Sequence, residues 1–152
     1  MIEHKVKQQS LIVLLALYIL RKNNYSHPSK RHVLNLVFCR NLMSIPDDDS
    51  VKRYEDDHDT IWENDLCFRR KDLVMEGLVG DEEHGRWNIT AHGLSHIEKR
   101  SSKWLKLNDP EHRQYLAASL HYLTEDLFTW MLKIAKGEDL SLRSNSSQKK
   151  AQ

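Results

Sequence analysis

The sequence predicts a mainly α-helical protein that carries one short β-hairpin. Three observations predict it. Apolar residues recur at helical spacing through most of the 152 residues. Of the five glycines, Gly77, Gly80, Gly85 and Gly93 crowd into "GLVGDEEHGRWNITAHG", where the β-prone runs Leu78-Val79 and Arg86 to Thr90 flank a turn. Hydrophobic residues make up 39% and charged residues 30%, enough for one core under a heavily charged surface, so one domain with an added helical arm is expected.

Helix 1 is expected from Lys7 to Lys22, stopping at Asn23-Asn24. Its segment Leu11 to Leu20 is apolar on every side and follows two lysines, which imitates a signal peptide. Ten residues rise only ~15 Å as a helix, about half the hydrocarbon core of a bilayer. The following "RKNNYS" offers no small-x-small cleavage site, so the segment reads as the centre of a helical core rather than a membrane element. Ser26 or Ser29 can cap helix 2, with Val33, Leu34, Val37, Phe38 and Leu42 on its apolar face. Residues 45–59 show no apolar periodicity and form a loop. Between 47 and 59 lie seven acids and two bases, a net of −5, so a total of +1 conceals a body of about +6.

Helix 3 is expected from Thr60 or Ile61 to Glu76. Trp62, Leu66 and Leu73 form one buried stripe, with Ile61, Phe68 and Met75 widening it. The opposite arc carries Glu63, Asn64, Cys67, Arg70, Lys71 and Val74. Asp65, Arg69 and Asp72 read as an ion-pair ladder at the core's edge. Gly77 caps this helix, and Gly80 and Gly85 turn the hairpin. Trp87 and Ile89 point to one face of it. Thr90 caps helix 4, with Leu94, Ile97, Trp104 and Leu105 inward, and Gly93 lets that helix approach the hairpin. Asp109-Pro110 opens a long helix 5 ending at Gly137. Its residues Leu116, Leu120, Leu123, Leu127, Met131 and Ile134 form a seam spaced like a coiled coil, with Tyr115, Tyr122, Phe128 and Trp130 around it. The domain organisation is thus 1–107 for the main unit, 108–137 for a dimerisation arm and 138–152 for a disordered tail.

Three helices, a two-stranded wing and a further helix are the order of a winged helix-turn-helix, whose second motif helix enters the DNA major groove while the hairpin reaches the backbone or minor groove. The stretch "LCFRRKDLVMEGLVGDEEHGRWNIT" followed by "AHG" resembles the N-terminal winged-helix domain of Mrr-type restriction proteins. The resemblance rests on Phe68, Leu73, Gly77-Leu78, His84-Gly85-Arg86-Trp87 and Thr90 to Gly93, closely over residues 66–93 and in outline over helices 1 and 2. It implies a setting of restriction or defence against foreign DNA. This sequence departs from the family in carrying His84 where a basic residue precedes the wing glycine, and in its longer acidic loop.

The residues expected at DNA are Asn64, Cys67, Arg70 and Lys71 on helix 3, with His84 and Arg86 on the wing. Asn reads adenine through two hydrogen bonds, and Arg or Lys serves guanine or phosphate. The expected partners are double-stranded DNA and a second copy of the chain. A transcription-regulatory setting is the other one compatible with DNA binding. The competing reading is a protein-interaction winged helix, a non-catalytic adaptor, which Glu63 and the acidic loop favour by repelling phosphate.

No catalytic residues, cofactor or metal are expected. "IPDDD" lacks the strand and the E-x-K partner of a Mg²⁺ nuclease, and "DDDSVKRYEDDHD" lacks the alternating ligands and glycine of an EF-hand. His92 and His96 stand at i, i+4 without a third ligand. No phosphate-binding glycine loop or nucleophile elbow occurs. Cys39 and Cys67, without CxxC spacing, read as free thiols of a cytoplasmic protein.

Overall fold

The computed structural model describes residues 2–112 and 121–142. Among the described residues, the α-helices α1 (Ile2–Lys22), α2 (Lys30–Cys39), α3 (Ile61–Met75), α4 (Ala91–Lys106) and α5 (Glu125–Lys136) accompany a 3-10 turn at Asp47–Asp49. Strands β1 (Val79–Gly80) and β2 (Asn88–Ile89) pair antiparallel between α3 and α4, with Val79 opposite Ile89.

α1 is the axis of the core. Every residue from Leu11 to Leu20 is buried, because α2, α3, α4 and β2 all pack around it. A segment apolar on all sides is thereby covered on all sides. No described helix is long and apolar enough to cross a membrane. The helix ends at the asparagine pair as expected, with Asn24 in the left-handed conformation and the Tyr25 N–H donating to the Leu20 carbonyl at 2.9 Å.

Ser29 caps α2, its side chain accepting from the His32 N–H. Just before that cap, the chain lies against the hairpin. The Trp87 N–H donates to the Pro28 carbonyl at 2.8 Å, and Ser29 forms an antiparallel bridge with Arg86. The β-layer therefore has a third, one-residue member supplied from the segment between α1 and α2. α3 ends at Gly77 (φ 78°), with the Leu78 N–H donating to the Leu73 carbonyl and the Gly77 N–H to that of Val74. This left-handed cap turns the chain straight into β1.

Two expectations for the C-terminal part are corrected. The single helix expected across 108–137 is broken at 121–124, where the chain instead takes hydrogen bonds from the body. The Tyr122 N–H donates to Gln8 Oε1 at 2.8 Å, the Ser44 N–H donates to the Tyr122 carbonyl at 2.6 Å, and Met43 bridges Leu123. Thr124 then caps a new helix, its hydroxyl accepting from the Leu127 N–H at 3.1 Å. The seam breaks with the helix. Leu127 and Met131 are buried within the chain, α5 packs on α4, and the Trp104 and Phe128 rings lie 4.6 Å apart. Tyr115, Leu116 and Leu120 lie outside the described residues.

The expected disordered tail at 138–152 begins as ordered chain. Asn23 Nδ2 donates to the Leu140 carbonyl at 3.0 Å, and Asn23 Oδ1 accepts from the Leu142 N–H at 2.9 Å. Arg40 Nη2 donates to the Leu142 carbonyl, and Leu140 is buried. Residues 143–152 lie outside the described residues.

Candidate nucleic-acid interface

The helix before the hairpin, α3, is held by three contacts that fix which face it turns outward. Trp62, Leu66 and Leu73 are buried against the core formed with α1. At its start, Thr60 and Glu63 form a capping box, with the Thr60 N–H donating to Glu63 Oε1 at 3.0 Å. On one flank, Arg31 Nη1 of α2 pairs with Glu63 Oε2 at 2.9 Å, and Lys30 pairs with Asp59 at 2.5 Å. Burial would raise the Glu63 carboxyl, but donation from Thr60 and Arg31 outweighs it and holds the group below the usual carboxylate range.

These ion pairs draw the flank carrying Glu63, Cys67 and Arg70 toward α2 and the wing. Cys67 is half-buried against the core, and burial pushes its thiol up, so it is a neutral packing group rather than a surface contact. Arg70 is turned onto the hairpin. Its Nη2 donates to the Arg86 carbonyl at 2.7 Å, and its guanidinium lies 5.8 Å from the centre of the Trp87 ring. Of the two, both expected to face outward, Arg70 thus serves the α3–wing contact and Cys67 packs against the core.

The outward face is Asn64, Phe68, Lys71 and Met75, at i, i+4, i+7 and i+11. Asn64 and Lys71 are exposed as expected. Phe68 and Met75, expected in the buried arc, are 48% and 86% exposed, and Lys71 Nζ sits 5.4 Å from the Phe68 ring centre. The helical wheel held the signal. At 100° per residue Phe68 falls about 40° from Asn64 and about 120° from Trp62, so it belongs with the outward residues. Asn64 also borders a shallow cavity of about 160 Å³ with Arg53, Tyr54 and Asp57 of the acidic loop. That loop lies beside the N-terminal half of α3.

On the wing, His84 and Arg86 are both exposed, and Arg86 Nη1 reaches the His27 carbonyl at 3.4 Å. The wing tip carries Asp81, Glu82 and Glu83, of which Glu83 pairs with His27 at 3.1 Å. Asn64, Lys71, His84 and Arg86 remain available to a ligand, and they lie on two elements joined by the Arg70 clamp. No family model, no curated protein and no solved structure matches this chain. The resemblance over residues 66–93 accordingly rests on those residues alone. Among the described residues no group of three His, Cys, Asp or Glu side chains stands where it could share a metal ion.

The expected Asp65–Arg69–Asp72 ladder is split. Arg69 Nε pairs with Asp72 at 3.1 Å, whereas Asp65 turns to α1, 3.4 Å from Lys5 Nζ and within reach of Gln9. Arg69→Ala should lower stability by about 1 kcal/mol or less, since Asp72 is partly exposed and solvent screens the pair. Thermal melting beside a duplex titration checks this. A large affinity loss at unchanged melting would place Arg69 on the ligand face instead.

Proposed function

We propose that residues 1–107 form a winged helix and that α3 with the hairpin binds double-stranded DNA. The observation that carries this reading is the outward stripe of α3. Asn64, Phe68 and Lys71 take no part in the core, yet they sit on the helix that leads into the hairpin, the position whose side chains enter the major groove in this architecture. The Ser29–Arg86 bridge supports the architecture, because it ties the segment before α2 to the wing as a minimal third strand. Asn64 supplies an amide for a base edge and Phe68 an apolar contact for a thymine methyl. Lys71 and Arg86 supply cations for phosphate or guanine, and His84 a further polar contact at the wing.

The reading assigns no reaction and no cofactor, and a cytoplasmic setting of restriction, defence or transcription control suits it. It does not require pairing through α5, whose Leu127 and Met131 already close against their own chain. The competing reading, an adaptor subunit that binds protein, is favoured by one observation. The acidic wing tip and the exposed Met75 suit a protein surface better than phosphate.

Fluorescence anisotropy on labelled duplexes across a salt series decides between them. Phosphate contacts release condensed counterions, so log affinity should fall linearly with log salt, by about 0.9 for each contact. If the protein binds no duplex, plain or base-modified, in a salt-dependent way, the adaptor reading takes its place.

A further inference from the structure

α4 carries a basic stripe set apart from its buried residues Gly93, Ile97 and Ser101. His92, His96, Lys99, Lys103 and Lys106 fall within about 80° of one another at 100° per residue, with Arg100 about 40° farther round. The stripe is about 21 Å long at 1.5 Å per residue, a length over which one DNA strand presents about six phosphates. Lys99, Lys103, Lys106 and His92 are exposed. No ion pair among the described residues involves any of the four α4 cations. Glu98 is the one acid in α4, and it faces elsewhere. It accepts from the Tyr18 hydroxyl at 2.8 Å and lies about 140° round the helix from Lys103.

Two further observations separate this face from an ordinary solvated one. Arg100 is partly buried with no acid beside it, so its guanidinium is lowered by desolvation alone. His96 is lowered chiefly by burial and next by Arg100, with Lys103 and His92 adding to the effect and Glu76, the residue that ends α3, opposing it. The lysines run along the middle and end of α4, while His92 and His96 stand where it begins, and that point adjoins the end of α3 and the start of the hairpin. Gly93 touches the Leu78 backbone there.

We propose that the basic face of α4 binds the phosphate backbone of the same duplex that α3 reads, extending the contact beyond the wing. This inference rests on the DNA-binding reading. Charge complementarity commits the face to a polyanion, and its continuity with the end of α3 commits it to that duplex rather than to a separate one.

The test compares Lys99→Ala/Lys103→Ala with Lys71→Ala on α3 and Lys136→Ala on α5, using the full chain and anisotropy on a labelled duplex across a salt series. Lys99 and Lys103 are exposed, so the double variant should fold, which circular dichroism checks. The double variant is expected to flatten the salt slope by about two units and to weaken every duplex alike, with Lys136→Ala leaving the slope unchanged. A slope altered by Lys71→Ala but not by the α4 variant would overturn the inference and leave the α3 reading standing. An equal change from Lys136→Ala would overturn it as a mere effect of net charge. Loss of binding to vesicles of anionic lipid, from a protein that binds no duplex, would overturn both.

Discussion

Gly93→Ala is expected to destabilise the protein by about 1–3 kcal/mol, the cost of forcing a methyl group into a packed contact. A Cβ at this position would lie 2.3 Å from the Leu78 carbonyl oxygen and 2.7 Å from Ile89 Cγ1. The first neighbour is backbone, and it cannot rotate away. That carbonyl also accepts from the Thr90 N–H at 3.0 Å, so pushing it aside weakens the turn that launches α4. Thr90 itself caps α4 by accepting from the Gly93 N–H at 3.0 Å, which places the new methyl inside the cap. Urea denaturation followed by circular dichroism measures the loss as a lower midpoint at constant slope. Wild-type stability in Gly93→Ala would mean that α4 sits farther from the hairpin than the contact implies. The same variant should weaken duplex binding, because α4 packs on the hairpin into which α3 leads.

The elements up to α4 were legible because each has a local cause. Ten consecutive apolar residues demanded a surrounded helix, Ser29, Thr60 and Thr90 stood at helix starts, and Gly77 and Gly93 marked a cap and a close approach. What could not be read locally was decided by partners distant in sequence. The seam from Leu116 to Ile134 has helical spacing throughout, yet Gln8, Asn41, Met43 and Ser44 claim residues 122–124 and break the helix there. Leu140 and Leu142 sit in a polar tail and are fixed by Asn23, Arg40 and packing against the core. On α3 the buried stripe was legible and its flanks were not. Glu63, Cys67 and Arg70 look like surface residues until Arg31 and the Arg86 carbonyl are placed beside them.

Asn64→Ala and Lys71→Ala are expected to fail in different ways, and that difference tests how α3 meets DNA. The two side chains are separated by two turns of one exposed face, so each can change without disturbing Trp62, Leu66 or Leu73. An asparagine amide offers a donor and an acceptor to an adenine edge, a contact that exists only on the right sequence. Its removal should cost about 1–3 kcal/mol on a preferred site and almost nothing elsewhere, leaving the salt slope intact. A lysine ammonium meets phosphate on any sequence. Lys71→Ala should therefore weaken all duplexes together and flatten the slope by about one unit. Between them, Phe68 presents a ring to the groove, and the apolar feature a major groove offers it is the thymine methyl. Phe68→Ala should lose affinity on thymine-containing sites and lose little on the same sites made with uracil. A preferred site is first selected from a random duplex pool, and the three variants are then titrated on it and on a scrambled duplex. Uniform weakening by Asn64→Ala across both duplexes would assign Asn64 to the backbone and move sequence reading to the wing.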